Sequence, residues 1–167
     1  MVPAPSSAIE TDAQLDALRE LHFCEILTYL KTIKAHPPTP HERFLAIDVE
    51  GKQPYVQCLF YDRDRRIICE AASGHYERPR TEFVSPAQFP ALKALGFSTR
   101  APKGNYQQRR AVKGEQTLAD VADMLIRTLH DIYGVTPQDR FTYKAPLVPR
   151  LPPTGSYMDG QCPAATS

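Results

Sequence analysis

Three strand-like runs separated by very short links set the strongest limit on how this chain can fold. Arg43–Glu50, Pro54–Asp62 and Arg65–Ser73 are rich in apolar and β-branched residues, and only Gly51-Lys52-Gln53 and Arg63-Asp64 stand between them. A parallel neighbour needs a crossover of about a dozen residues or more, so links this short force antiparallel pairing and predict a meander.

Helices are expected on either side. Leu15, Leu18, His22, Ile26, Tyr29, Leu30 and Ile33 recur at three- and four-residue steps, one face of a helix. Thr11 with Gln14 has the pattern of a capping box at its start, and Pro37, Pro38 and Pro40 close it. After the meander, Ser85 as N-cap, Pro86 and Gln88 predict a short second helix that stops at Gly96.

Asn105–Val112 reads as a fourth strand, with Tyr106, Gln108, Arg110 and Val112 on one side and Gln107, Arg109 and Ala111 on the other. That polarity places it at a sheet edge or against solvent. A last helix carries the stripe Leu118, Val121, Ala122, Leu125, Leu129 and Ile132, with Thr117 as cap, Asp120 three residues on, and Gly134 at its end. The order α-β-β-β-α-β-α lacks regular βαβ alternation. It predicts an α+β fold, an antiparallel meander sheet of about four strands flanked by N- and C-terminal helices.

The 167 residues suit one domain, expected over Thr11–Tyr143, with a Pro/Ala/Ser-rich arm at Met1–Glu10 and a Pro-rich tail from Lys144 to Ser167. Twenty Lys and Arg against 19 Asp and Glu leave a net charge of +1, no field to hold a nucleic-acid backbone. The sequence shows neither a signal-like leader nor a membrane-length apolar stretch, so a cytoplasmic protein is expected. Cys24, Cys58, Cys69 and Cys162 have no close spacing and read as free thiols in a reducing compartment.

Chemistry has few candidates. The histidines His22, His36, His41, His75 and His130 fall in separate segments, without the short spacing of a metal site, and no glycine pattern suits a phosphate, so neither metal nor cofactor is expected. Cys58 or Cys69 with a histidine would make a nucleophile pair, but both sit among bulky apolar residues where a thiol is inert. The run Asp62-Arg63-Asp64-Arg65-Arg66 falls at a hairpin turn and reads as solvated charge. Arg100, Lys103, Arg109, Arg110 and Lys113 form a basic excess around the fourth strand, suited to an acidic segment or to guarding an edge. Glu70 interrupts an apolar strand; a carboxylate there must face solvent or find a partner, and Gln57 on the preceding strand is similarly placed.

Taken together, Tyr55-Val56-Gln57-Cys58-Leu59-Phe60, Cys69-Glu70-Ala71, Leu95-Gly96-Phe97, Asn105-Tyr106, Arg127-Thr128-Leu129 and Tyr133-Gly134-Val135 resemble the YbjN and type III secretion chaperone-like superfamily, in its bacterial peptide-binding chaperone branch. The resemblance spans about Phe44–Val135. It implies helices flanking an antiparallel sheet, no enzyme activity, and a partner that is a client polypeptide or a neighbouring subunit, often bound by a homodimer. The matching positions are Gln57, Glu70, Gly96, Phe97, Asn105 and Tyr106. Gly96 and Phe97 are expected to be architectural, as helix C-cap and core. Gln57, Glu70, Asn105, Tyr106, Arg109 and Arg110 are the client-binding candidates. The alternative is an assembly component that docks through its Pro-rich termini.

Overall fold

The computed structural model describes residues 6–37, 41–100 and 104–163, with side chains from Glu10 onward. Pro38, Pro40, Lys103 and the outermost residues of both arms lie outside the described residues. Helix α1 (Ser6–Ala35) leads into strands β1 (Phe44–Val49), β2 (Tyr55–Tyr61) and β3 (Arg66–Ala71). A 3₁₀ turn (Pro86–Gln88) runs into α2 (Phe89–Ala94), followed by β4 (Tyr106–Ala111), α3 (Glu115–Arg127) with a π-helical turn (Thr128–Ile132), and β5 (Phe141–Lys144).

The sheet is antiparallel throughout, in the order β4-β3-β2-β1-β5. The short links act as the sequence requires, and β4 lies at an edge. Period-two alternation assigns the faces. Leu45, Ile47, Val49, Val56, Cys58, Phe60, Ile67, Cys69 and Ala71 point one way, none more than 3% exposed. They share one core with Leu18, Ile26, Leu30 and Ile33 of α1 and Leu118, Val121, Leu125 and Ile126 of α3.

Several boundaries differ from expectation. Helix α1 begins before Thr11, because nothing in Ser6–Glu10 breaks a helix and propagation adds a bond per residue at little cost. Thr117 lies inside the first turn of α3, where its Oγ1 accepts the Lys113 N–H at 3.2 Å, while Gly114 holds the N-cap position. The Ser85 N–H does donate to Gln88 Oε1 at 2.9 Å, as a capping box requires. A fifth strand joins the expected four: Phe141–Lys144 pairs with β1 and places Tyr143 against Tyr29 of α1, ring centroids 4.9 Å apart.

The free-thiol expectation is overturned. Cys58 and Cys69 stand opposite each other in the β2–β3 register and form a disulfide, and Cys24 is joined to Cys162 across 138 residues. Register makes the first pair and the tail's return path makes the second, neither visible as sequence spacing. With their sulfurs joined, Cys58 and Cys69 present no thiolate.

The charged β2–β3 turn is also more than a solvated loop. Arg43, 7% exposed, lies beneath the C-terminus of α1, where the last carbonyls lack intrahelical donors. Its Nη2 donates to Ile33 O at 2.9 Å, its Nη1 to Pro37 O at 3.2 Å and His36 O at 3.3 Å. Its Nε donates to Asp64 Oδ1 at 2.7 Å, and Nη2 also reaches the other carboxylate oxygen. Asp62, Arg63 and Asp64 all adopt left-handed backbone, with φ of 52°, 53° and 62°. Asp is among the residues that tolerate that conformation best.

Arg43→Ala is expected to lower unfolding stability by about 3–5 kcal/mol in urea titrations, as removal of one partner from a buried ion pair does. A loss below about 1 kcal/mol would mean the clasp contributes no more than a surface pair.

His22 supplies a pH dependence. It stacks on Phe141 with ring centroids 3.8 Å apart, its buried Nε2 has no hydrogen-bond partner, and burial lowers its pKa to about 4. A depressed pKa means stability is complete above the unfolded value of about 6.5 and is lost as pH falls from there toward 4. Nearby Glu25, raised by burial, titrates with the opposite sign, so the comparison must be between variants. In thermal melts from pH 7 to pH 4, His22→Phe should lose less stability than the parent. Parallel curves would exclude His22 as the titrating group.

Candidate functional site

The sheet face turned away from the helices carries the distinctive side chains. Register aligns them in rows across the strands. One row reads Ala46, Gln57, Glu70 and Gln107; the next reads Phe44, Leu59, Ile68 and Arg109; a third reads Tyr61, Arg66 and Ala111. A polar row therefore lies beside an apolar row that ends in a cation. Leu59 is 43% exposed, Phe44 and Ile68 are half-buried, and Arg66 and Arg109 are exposed.

Glu70 is the hub of the polar row. Its Oε2 accepts Gln57 Nε2 at 2.6 Å and its Oε1 accepts Gln107 Nε2 at 2.6 Å. Asn105 Nδ2 approaches Oε2 at 3.4 Å and donates to the Tyr55 hydroxyl at 2.9 Å, while Asn105 Oδ1 accepts the Ser73 N–H at 3.1 Å. The carboxylate thus finds the partners that its place in an apolar strand demanded. The network fixes three amide orientations, so the row presents a set pattern to anything laid across it.

Of the six candidates, the structure brings Gln57, Glu70 and Asn105 into one network and places Arg109 in the adjoining row of the same face. Tyr106 and Arg110 lie on the other side of β4. Tyr106, 8% exposed, packs edge-on to Phe89, and Arg110 Nε donates to Gln108 Oε1 at 2.8 Å. Gln108 Nε2 donates in turn to Leu95 O at 3.0 Å, which ties β4 to the end of α2. Gly96, at φ 98°, follows, and a side chain there would press on Gln108. Phe97 is buried, as expected for a core residue.

Phe44, Leu59, Ile68, Tyr61 and Arg66 share this face without being among the six candidates. Period two along Tyr55-Gln57-Leu59-Tyr61 would have put Leu59 and Tyr61 on the face of Gln57. The edge of β4 adjoins this face. One of its carbonyls, Gln107 O, is taken by the Ser98 N–H at 2.8 Å, in a connection that reaches β4 from α2.

The described residues hold no cluster of His, Cys, Asp or Glu fit for a metal ion, and none of their helices is long and apolar enough to cross a membrane. A separate cleft between α1, α3 and the tail includes no strand residue.

Glu70→Ala leaves the Gln57 and Gln107 amides without their acceptor at a half-buried site. It should lower stability by about 1–3 kcal/mol in chemical denaturation. An unchanged midpoint would mean that water replaces the carboxylate at no cost.

Comparison with known proteins adds a family. The model of a family described as T3SS (YopN, CesT) and YbjN peptide-binding chaperone 3 matches residues 29–146, which takes in the whole sheet and α3. No curated protein matches the chain, and no solved structure does.

Proposed function

The chain belongs to this family of T3SS and YbjN peptide-binding chaperones, and on that premise we propose that it holds a client polypeptide, in extended form, on the open sheet face beside the β4 edge. It performs no chemistry on that client. The observation that carries the reading is the apolar row Phe44, Leu59 and Ile68, aligned in register beside the Glu70 amide network, with Arg109 at its end and Arg66 in the row beyond. An extended segment that crosses such rows meets an apolar strip and fixed amides. A segment added at the β4 edge gains main-chain hydrogen bonds, with side-chain contacts for selectivity. Arg109 belongs to both surfaces and favours a client with acidic residues near its apolar ones. Tyr106 and Arg110 support β4 from behind.

We place the protein in the cytoplasm, with a second copy of the chain as the client's competitor for the same face. The competing reading makes the Pro-rich termini the docking elements. Against it stands the family match, which covers residues 29–146 and leaves the N-terminal arm and nearly all of the Pro-rich tail outside it.

The test is affinity purification of the tagged full-length chain, with mass spectrometry and a sizing column, beside Leu59→Asp and Arg109→Glu. A polypeptide should co-elute in fixed ratio with the parent, and each variant should hold it at least about tenfold more weakly, roughly 1.4 kcal/mol. Undiminished capture by both variants, combined with loss on deletion of residues 149–167, would transfer the function to the tail. A clean monomer or homodimer that carries no other chain would remove the client reading.

A further inference from the structure

We propose that the Cys24–Cys162 disulfide is a thiol-controlled latch that seats a C-terminal strap against α1 and so builds one wall of the cleft between α1 and α3. This goes beyond the sheet-face reading and does not depend on it.

Val148, 5% exposed, is the last well-buried residue before the chain runs on to Pro163. Between them the strap has few holds. Leu151 is half-buried at its start, and the Tyr157 ring meets Phe23 with centroids 4.4 Å apart. The Tyr157 N–H donates to Glu20 O at 3.1 Å, and Met158 and Gln161 exchange main-chain bonds of 2.9 and 3.0 Å that close the strap on itself. The disulfide stands next to this small hairpin. Segments with so few buried contacts open at low cost, and a covalent tie at the far end converts such a segment into fixed structure.

What the strap builds is a cleft of about 1390 Å³. Pro153 and Tyr157 face Phe23 and Leu27 of α1, with Ala119 and Asp123 of α3 along the other side. Without the strap, Phe23 loses its aromatic cover.

The two disulfides differ in access. Cys58 and Cys69 are each 1% exposed on the core face, beneath the helices, and a reagent reaches them only when the core opens. Cys24 is 2% exposed, but Cys162 is half-buried at the molecular surface. A dithiol reductant attacks Cys162 Sγ through its thiolate, forms a mixed disulfide there and expels the Cys24 thiolate. Its second thiol then displaces Cys162 and closes the reductant's own disulfide. Two electrons pass from the dithiol to the protein, and both cysteines end as thiols with the protons the dithiol gave up. The Cα atoms are 5.5 Å apart, an ordinary bridging distance, so re-oxidation by a small disulfide needs only the strap reseated.

The experiment treats the oxidised full-length protein with dithiothreitol at neutral pH, without denaturant, and maps thiols by alkylation and mass spectrometry alongside amide hydrogen exchange. Cys24 and Cys162 should be labelled at least about tenfold faster than Cys58 and Cys69. Exchange over residues 152–163 should rise by at least about tenfold while β1 to β4 keep their protection. Cys162→Ser should show the same loosened strap without reductant, which separates release of the strap from any damage by dithiothreitol. Labelling of all four cysteines at one rate would overturn the latch. So would a strap whose exchange is unchanged by reduction and by Cys162→Ser, or Cys24 and Cys162 recovered as thiols after treatment with oxidised glutathione.

Discussion

A guanidinium beneath the C-terminus of a 30-residue helix meets two needs at once, and the rest of the structure is arranged around it. The carbonyls at the end of α1 need donors, and the turn between β2 and β3 needs a reason to curl toward the helix. Arg43 supplies both through one planar group: carbonyls on one side, the Asp64 carboxylate on the other. Because Arg43 immediately precedes β1, the clasp also sets where the first strand starts relative to the helix. Register then carries that position across the meander, since a slip of one residue would turn every core side chain to the open face.

Glu70 shows the same economy on that open face. A lone carboxylate in the middle of a sheet costs free energy, whereas a carboxylate saturated by amides orders its neighbours. Gln57 and Gln107 are held across three strands by one acceptor, so the polar row is preorganised before any partner arrives. The apolar row beside it carries no polar group until the exposed Arg109 at its end. A surface so preorganised has little conformational entropy left to lose.

How much of this was legible in the sequence follows from the range of each interaction. The meander, the edge position of β4 and the stripes of α1 and α3 were readable because links, periodicity and polarity are local. Helix starts were not, since nothing local stopped α1 at Thr11 and Thr117 could cap from inside the turn. The fifth strand has four residues among prolines and takes its identity from the β1 edge. Arg43 with Asp64 and Cys24 with Cys162 are partners set by the fold, and their separation in sequence concealed them. Glu70 and Gln57 were found because a polar residue in an apolar strand raises a question local chemistry can pose. Leu59, unremarkable in an apolar run, raises none until its face is known.

The two disulfides extend this contrast between local and long-range constraint. Cys58–Cys69 joins strands that the β2–β3 hairpin already holds in register, so it limits the unfolded chain only over a sequence separation of 11. Cys24–Cys162 spans a sequence separation of 138 and reaches nearly the whole domain. In the chain-entropy view the longer loop gives the larger stabilisation, though native strain and residual structure can offset it. Access runs the other way: the bond with the larger entropic effect is the one with an end at the surface. A chaperone with a buried bridge and a reachable one can keep its sheet intact while its helical side responds to thiols, because the strap touches α1 and contributes nothing to the β4 edge.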